Sequence, residues 1–315
     1  MAKILLSENA QNGRAEGFGI IRSVDIKKST AGSPYLDLLI SDCNGEIRSK
    51  IWDYKKEVHG SYEVGDIVKV RGRISQYQGA EQLTVDRIRL ATDEDDYDIE
   101  ALIPTAPENA QQMYDYLRGL AENFSDPDYR KLVLFLMEKH RLLLLRYPAA
   151  VKLHHAQISG LLYHTCTLVR MALSVCDVYP QLDRDLLLAG TILHDFAKIR
   201  ELETTQSGLA SGYTVPGQLL GHLVMGSEWI AEAGKELSVS EEKIVLLQHM
   251  MISHHGEPEF GAAKQPMFPE AEVLSQLDLL DARLFNMFQE LENVEAGTFT
   301  PPVWSLDHRR LYKKK

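Results

Sequence analysis

The sequence predicts a multidomain protein of mixed β and α class, in which a small five-stranded barrel is followed by an all-α domain. Residues 1–91 contain short runs in which apolar and polar residues alternate, as in half-buried strands. Residues 109–292 instead carry apolar residues at steps of three and four, as in helices with one buried face. The stretch 92–108 between them holds seven acidic residues, no basic residue and two prolines, which is typical of a linker.

The barrel is predicted from three alternating runs, which lie near residues 36–41, 47–52 and 68–75. Turn-forming pairs separate the runs, among them Asn44-Gly45, a dipeptide typical of tight hairpins. About five strands fit into this length, which is enough to close a small barrel.

The helical region begins with a periodic stretch at 109–145, within which Asp126-Pro127 is a typical helix start. Further helical patterns cover 161–178, 184–200, 218–236, 240–253 and 270–292. We expect two helical segments over 109–150, a core over about 150–285, and a C-terminal tail over 293–315.

Composition and charge limit the class of protein. The chain has 315 residues, of which 44% are hydrophobic and 25% charged, as in ordinary globular proteins. We find no secretory signal and no uninterrupted apolar run of about 18 residues, so we expect no membrane association. The three cysteines, Cys43, Cys166 and Cys176, show no CxxC spacing and predict reduced thiols in a cytoplasmic protein.

The net charge of −11 argues against nucleic-acid binding, but its distribution changes that conclusion. Residues 1–91 hold 14 basic and 12 acidic residues, a balance of +2, whereas the part after the linker carries −6. A nearly neutral first domain therefore precedes an acidic one.

Basic and aromatic residues share the predicted outer faces of the barrel strands. Cationic groups that follow phosphates and rings that stack on bases are the two parts of a single-strand binder. The alternative is an outer face whose polar side chains are merely solvated. The candidate nucleic-acid contacts are Tyr35, Arg48, Lys50, Trp52, Lys69, Arg71, Arg73 and Tyr77. The strand order, with VGDIVKVRGRISQYQGAEQLTVDRI as its second half, resembles the OB-fold of nucleic-acid-binding proteins.

Histidines and aspartates in the apolar helical segments predict a metal centre. Asp195 and Asp278 lie among leucines, where a buried carboxylate is costly unless it meets a cation. With His164 and His194 they make a four-ligand site. Imidazole mixed with carboxylate, without thiolate, suits a hydrolytic divalent-metal centre.

Three further histidines suggest a second ion. His222, His254 and His255 would complete its ligands if Asp195 bridged the two ions. Paired ions about 3.5–4 Å apart can activate water and hold both oxygens of a phosphodiester displacement. A lone histidine is more often structural than ligating, so only the whole set favours this interpretation.

The order H…HD…H…HH…D over residues 150–285 resembles the HD-domain metal-dependent phosphohydrolases. With an OB-fold before it, nearly the whole chain resembles the YhaM-type 3′-to-5′ exoribonucleases, through stretches such as PAAVKLHHAQISGLLYHT, LLLAGTILHDFAKI and HMMISHHGEPEFGAAKQP. The resemblance implies that the seven residues above are metal ligands and that Asp195 is catalytic.

The resemblance also bears on residues beside the ligands. Lys198, three residues after Asp195, would hold the scissile phosphate or else neutralise that aspartate. His154 and His155 match a family element for which substrate-phosphate contact and a structural role are both open. The segment HDFAK departs from the usual HDIGK pattern, and Tyr163 replaces a common glutamate.

These features lead to one leading hypothesis for function. The chain would be a metal-dependent 3′-to-5′ exoribonuclease that hydrolyses single-stranded RNA, with single-stranded DNA as a second possible substrate, to 5′-nucleoside monophosphates. The alternatives are a phosphodiesterase of small or cyclic nucleotides with a regulatory barrel, and a non-catalytic RNA-binding protein. We expect one or two divalent ions, Mn²⁺ first, with Co²⁺, Fe²⁺, Ni²⁺ and Mg²⁺ as alternatives. A homo-oligomer is compatible with the sequence.

Overall fold

The computed structural model divides into two compact units, Met1–Thr105 with Thr204–Ser211, and Ala106–Glu203 with Gly212–Lys315. We name them the barrel unit and the helical unit. The first boundary falls inside the predicted linker, whereas the short excursion at 204–211 was not predicted. The structure describes residues 13–315 apart from 31, 43–44, 78–79, 93, 96, 98–101, 103–104, 151–156, 206–207 and 293.

The barrel unit is a closed sheet of five strands in the order β1-β2-β3-β5-β4, which confirms the predicted barrel. All neighbouring strands are antiparallel except β3 and β5, which pair in parallel over only three residues each. A four-residue helix, α1 (Lys56–His59), connects β3 to β4. The strands are β1 (Arg14–Lys28), β2 (Pro34–Asp42), β3 (Gly45–Ile51), β4 (Ile67–Tyr77) and β5 (Ala80–Leu90).

The apolar residues of the alternating runs form the core of the barrel. Leu36, Leu38 and Ile40 of β2 are buried, and they pack with inward side chains of the other strands. Ser41 departs from the pattern because it is buried although the alternation placed it outside.

The helical unit contains α2 to α9, and a short strand pair, β6 and β7, includes the two ends of the excursion at 204–211. The predicted helix at 184–200 is in fact two helices, because the chain turns at His194–Ala197 between α5 and α6. The tail packs Val303, Leu306 and Leu311 against the last turns of α9. The elements are α2 (Ala110–Glu122), α3 (Pro127–Leu144), α4 (Gly160–Val178), α5 (Arg184–Leu193), α6 (Lys198–Glu201), β6 (Leu202–Thr204), β7 (Ala210–Tyr213), α7 (Val215–Glu236), α8 (Glu241–Ser253) and α9 (Pro269–Glu292).

Helix α4 is long and apolar enough to cross a membrane, judged by length and composition alone, with a mean hydropathy of 1.2. This finding qualifies the expectation, drawn from the sequence, that no segment is apolar enough to span a membrane. The core helices of globular domains pass the same test, and α4 buries nine residues, including His164, inside the helical unit.

The start of α3 is held by an ion-paired cap. Asp126 accepts hydrogen bonds from the backbone N–H groups of Asp128 and Tyr129, as the Asp-Pro start predicted. Lys243 of α8 lies 2.6 Å from Asp126 and 3.1 Å from Asp128, and so joins α8 to this cap. Hydrogen bonds from Lys131 and Lys243 lower the pKa of Asp128 to about 2.

We expect Lys243→Met to lower the free energy of unfolding near neutral pH by at most about 1 kcal/mol, because these side chains are partly solvated. The pKa of Asp128 is lower in the folded chain than its ordinary value of 3.8, so the stabilisation is present above that value and disappears as the pH falls towards about 2. Urea unfolding at neutral pH and at about pH 3 measures both effects. A difference between variant and parent that grows with acidity would contradict this account.

Candidate metal centre

All seven predicted ligands meet at one place in the helical unit. His164 lies on α4, His194 ends α5, and Asp195 follows in the turn before α6. The others lie on α7 (His222), at the end of α8 (His254 and His255) and on α9 (Asp278). Five segments far apart in the sequence thus supply one cluster, whose ligand assignment remains a proposal.

Asp195 directs one carboxylate oxygen, Oδ2, towards the first group of ligands. This oxygen lies 3.3 Å from His194 Nε2 and 3.6 Å from His164 Nε2. Asp278 Oδ1 lies 3.2 Å from His164 Nε2 and 4.0 Å from His194 Nε2. All four side chains therefore direct a ligand atom towards the same small region.

The second oxygen, Oδ1, faces the second group. It lies 3.3 Å from His222 Nε2 and 3.8 Å from His254 Nε2. Ring nitrogens of His222, His254 and His255 lie within 4.8 Å of one another. Asp195 Oδ1, His222 Nε2 and His254 Nε2 are all buried without a hydrogen-bond partner among the residues that the structure describes. Such atoms are costly unless something binds them.

The histidines are held in one tautomer. His194 Nδ1 lies 2.8 Å from the Thr191 carbonyl oxygen, and His254 Nδ1 lies 2.8 Å from that of Met251. A carbonyl oxygen only accepts, so each Nδ1 carries the proton and donates it. Each Nε2 is left with a lone pair directed into the cluster, as metal-ligating histidines require.

Two carboxylates that the sequence analysis missed hold two further histidines, His164 and His222. Asp281 Oδ2 lies 2.7 Å from His164 Nδ1. Glu201, at the end of α6, lies 3.0 Å from His222 Nδ1 through both of its oxygens. Its Oε1 also accepts the His222 backbone N–H at 3.1 Å. Asp281 lies one turn after Asp278, a spacing that was available as a signal; Glu201 follows no comparable pattern.

A kink in α7 makes the Glu201 contact possible. Gly221 has φ of 73°, in the left-handed region that favours glycine, and it turns the next residue, His222, towards Glu201. Gly217 lets the first turn of α7 approach the same glutamate, because a Cβ there would lie 2.2 Å from the Glu201 carbonyl oxygen.

The centre holds more acid than base. Its buried or nearly buried carboxylates are Asp195, Glu201, Asp278 and Asp281, against one lysine, Lys198. Burial acts to raise the pKa of Asp195, but Lys198, His194 and His222 hold it well below its ordinary value. Burial lowers the pKa of His254 and His255, so both favour the neutral form that binds a metal.

Divalent ions fit this arrangement. Ligand atoms about 2.1 Å from one ion are separated by about 3.0–3.4 Å at octahedral or tetrahedral angles. The shortest separations in both groups, 3.2 to 3.3 Å, match this range. Bound cations would also satisfy the unpartnered atoms and offset the excess negative charge.

Lys198 contacts Asp195, the aspartate shared by the two groups of ligand candidates. Its Nζ is 2.6 Å from Asp195 Oδ2, so the ion pair considered from the sequence is present. A carboxylate oxygen has two lone pairs and can accept this hydrogen bond while the other faces an ion. The side chains of Lys198 and Asp278 are 12% and 16% exposed, so solvent reaches the centre on their side.

The two departures from the family pattern lie beside the ligands. Phe196 and Ala197 are buried at 2% and 0% exposure, where they fill the turn that carries Asp195. Tyr163 is half-buried next to His164 on α4. His154 and His155 lie outside the described residues.

The candidate nucleic-acid contacts lie on the barrel unit. Tyr35 and Trp52 are 4.9 Å apart between ring centroids, and Lys50 Nζ lies 5.1 and 5.2 Å from those centroids. Arg48 is exposed on the same strand as Lys50. Lys69, Arg71 and Arg73 lie on β4, as does Tyr77, whose side chain is not among those described.

We expect Glu201→Gln to weaken binding of Mn²⁺ by about 10- to 100-fold, because the carboxylate that orients His222 is lost. Calorimetric titration of the metal measures this without a substrate. Glu232→Gln, an exposed glutamate on the same helix as His222, is the matched control and should bind Mn²⁺ as the parent does. Equal affinity in the Glu201 variant and the control would show that Glu201 has no positioning role.

Comparison with protein families identifies both parts of the chain. Residues 161–283 match the family described as HD domain, and residues 18–91 match that described as OB-fold nucleic acid binding domain. The first match contains all seven predicted ligands and both missed carboxylates.

Similar proteins extend the match to almost the full length. The 3′-5′ exoribonuclease YhaM of Bacillus subtilis is 37% identical over 314 residues, covering 99% of this chain and 98% of its own. The YhaM enzymes of Bacillus licheniformis and a Geobacillus species are 40% and 38% identical, covering 91% and 93% of this chain and 92% and 90% of their own. The chain therefore belongs to the YhaM family of 3′-5′ exoribonucleases.

Proposed function

We propose that this protein is a metal-dependent 3′-to-5′ exoribonuclease that hydrolyses single-stranded RNA to 5′-nucleoside monophosphates. The proposal is carried by the position of Asp195, whose two carboxylate oxygens face two separate groups of proposed metal ligands. Its support from relatives is at least 37% identity to three YhaM enzymes, over 91% or more of this chain.

The residues around the centre have distinct tasks in this proposal. His164, His194, Asp195 and Asp278 would hold one ion, and Asp195 with His222, His254 and His255 the other. Bound divalent ions lower the pKa of water and offset phosphate charge. Mn²⁺ suits a mixture of imidazole and carboxylate ligands, and Co²⁺, Fe²⁺, Ni²⁺ and Mg²⁺ are the alternatives to test.

Lys198 is the cation placed to meet the substrate. Its ammonium is anchored on Asp195 and lies on the side of the centre that solvent reaches. A phosphate entering from that side would accept a hydrogen bond from the same ammonium, which has three donors. We therefore assign Lys198 to the scissile phosphate, in addition to its ion pair with Asp195.

The barrel unit would hold the RNA strand. Tyr35 and Trp52 offer ring faces for bases, and the cations on β3 and β4 offer contacts for phosphates. Phosphate contacts and base stacking are possible with both nucleic acids, so single-stranded DNA is a second candidate ligand. We also propose a cytoplasmic location, supported by the free thiols of Cys166 and Cys176; recovery of the protein in a membrane or secreted fraction would contradict it.

We expect 5′-labelled single-stranded RNA to be shortened from its 3′ end in one-nucleotide steps with Mn²⁺, and to stay intact with EDTA. Asp195→Asn should remove this activity, because it replaces the carboxylate shared by both ion positions. Asp307→Asn is the matched control, since that aspartate is 75% exposed and asparagine tolerates its positive φ.

Lys198→Met provides a second variant in the same assay. It keeps every proposed ligand, so we expect bound Mn²⁺ with trimming slowed by about 10²-fold or more. RNA that stays intact with every divalent ion would reject the proposal, and hydrolysis of a cyclic dinucleotide by the same preparation would favour the small-nucleotide alternative.

A further inference from the structure

The outer face of β4 and β5 carries four cations in two directly opposed pairs. Lys69 faces Arg89, and Arg71 faces Arg87, in the antiparallel register of the two strands. Like charges directly opposite each other destabilise a sheet. We call these four residues the cationic ladder. Two successive repulsive pairs on one face are unfavourable for the barrel taken alone.

The structure offsets this charge only in part, and Glu16 of β1 lies opposite Arg71 in the strand register. Arg89 forms two hydrogen bonds of 2.6 Å to Asp95, and Lys69 Nζ lies 5.2 Å from the centre of the Phe18 ring. Arg71 and Arg87 are exposed and form no ion pair within the part of the chain that the structure describes. The Arg71–Arg87 pair is therefore the position where an anion fits best.

A groove of about 750 Å³ runs beside the ladder. It exists because β3 pairs with β5 only at Arg48–Lys50, while β5 continues to Leu90. The connecting helix α1 is too short to cover the exposed side, and it buries none of its residues. Core side chains line the bottom, and Trp52, Val58 and His59 line the groove together with the cations.

Trp52 connects this groove to the proposed base-stacking face. It lines the groove, and its ring also lies beside the Tyr35 ring and the Lys50 ammonium. A strand whose base stacks on Trp52 would therefore have its neighbouring backbone beside the ladder. Acidic side chains, Glu16 and Asp86, also line the groove, so the cations there are not a uniform basic surface.

We propose that the cationic ladder binds backbone phosphates of single-stranded RNA, and that Arg71 and Arg87 together hold one phosphate. This extends the RNA contact from β2, β3 and β4 to β5, adds Arg87 and Arg89 to the contacts, and pairs Arg71 with Arg87 on one phosphate. Guanidinium groups form paired hydrogen bonds to phosphate oxygens. The proposal rests on the proposed function, in that RNA is the ligand of the barrel unit.

The test measures RNA affinity of the full chain in EDTA, where no hydrolysis occurs, at several salt concentrations. Each phosphate contact to a single strand contributes about 0.7 to the slope of log affinity against log salt. We expect Arg71→Ala/Arg87→Ala to reduce this slope by about 0.7, for the one phosphate that the two arginines hold together. Lys139→Ala/Lys235→Ala removes the same charge from two exposed lysines of the helical unit, on α3 and α7, and should leave the slope unchanged.

Thermal stability gives an independent readout. The Arg71–Arg87 pair is repulsive, so the double alanine variant should melt at the same temperature as the parent or higher. A purely structural role for these arginines predicts a lower melting temperature instead. An unchanged salt slope in the folded double variant would overturn the proposal, as would the absence of RNA binding by the parent.

Hydrolysis of a dinucleotide separates this proposal from the function on which it rests. A dinucleotide has one phosphodiester, which the metal centre itself must hold during cleavage, so the double variant should cleave it at the parent's rate. A reduced salt slope with no nuclease activity in the parent would reject the proposed function and support the ladder. Normal trimming of RNA by the parent, with an unchanged salt slope in the double variant, would support the proposed function and reject the ladder as a phosphate site.

Discussion

The buried carboxylate of Asp195 is the constraint on which the helical unit depends. It lies at 1% exposure in a turn between two helices, with three histidines and a lysine as its nearest polar neighbours. Burying an ionised carboxylate is costly unless cations compensate it. One lysine cannot balance the four carboxylates of the centre, so the energetics favour divalent ions as part of the folded protein.

Hydrogen bonds to the Nδ1 atoms of four histidines explain why their Nε2 atoms point towards Asp195. Thr191 and Met251 offer backbone carbonyl oxygens, while Glu201 and Asp281 offer carboxylates, each to an Nδ1 atom. The four Nε2 atoms are thereby directed inward before any ligand arrives. Such preorganisation reduces the conformational entropy lost on binding.

The sequence indicated the ligand candidates because their acidic side chains lie in apolar surroundings. Asp195 and Asp278 lie in apolar helical runs, where a buried acid needs a partner. This mismatch is visible in the sequence alone. The resemblance to known families then related the histidines to them. The barrel was predicted equally well, since Leu36, Leu38 and Ile40 alternate with polar residues along one strand.

The remaining features depend on tertiary geometry that periodicity does not encode. Glu201 contacts His222 only because Gly221 interrupts α7 and Gly217 admits a close backbone approach. The helical pattern at 184–200 did not reveal the turn that contains Asp195, because apolar residues continue through the turn. The cationic ladder required the strand register, because Arg71 and Arg87 lie 16 residues apart in the chain and become neighbours only in the sheet.

The most direct test of the central claim is a titration of the metal-stripped chain with Mn²⁺, followed by electron paramagnetic resonance. Two ions bridged by Asp195 would lie about 3.5–4 Å apart and be magnetically coupled. We expect two Mn²⁺ per chain, with a coupled signal that Asp195→Asn abolishes. A single ion per chain, or two ions with independent signals, would contradict the bridging role of Asp195.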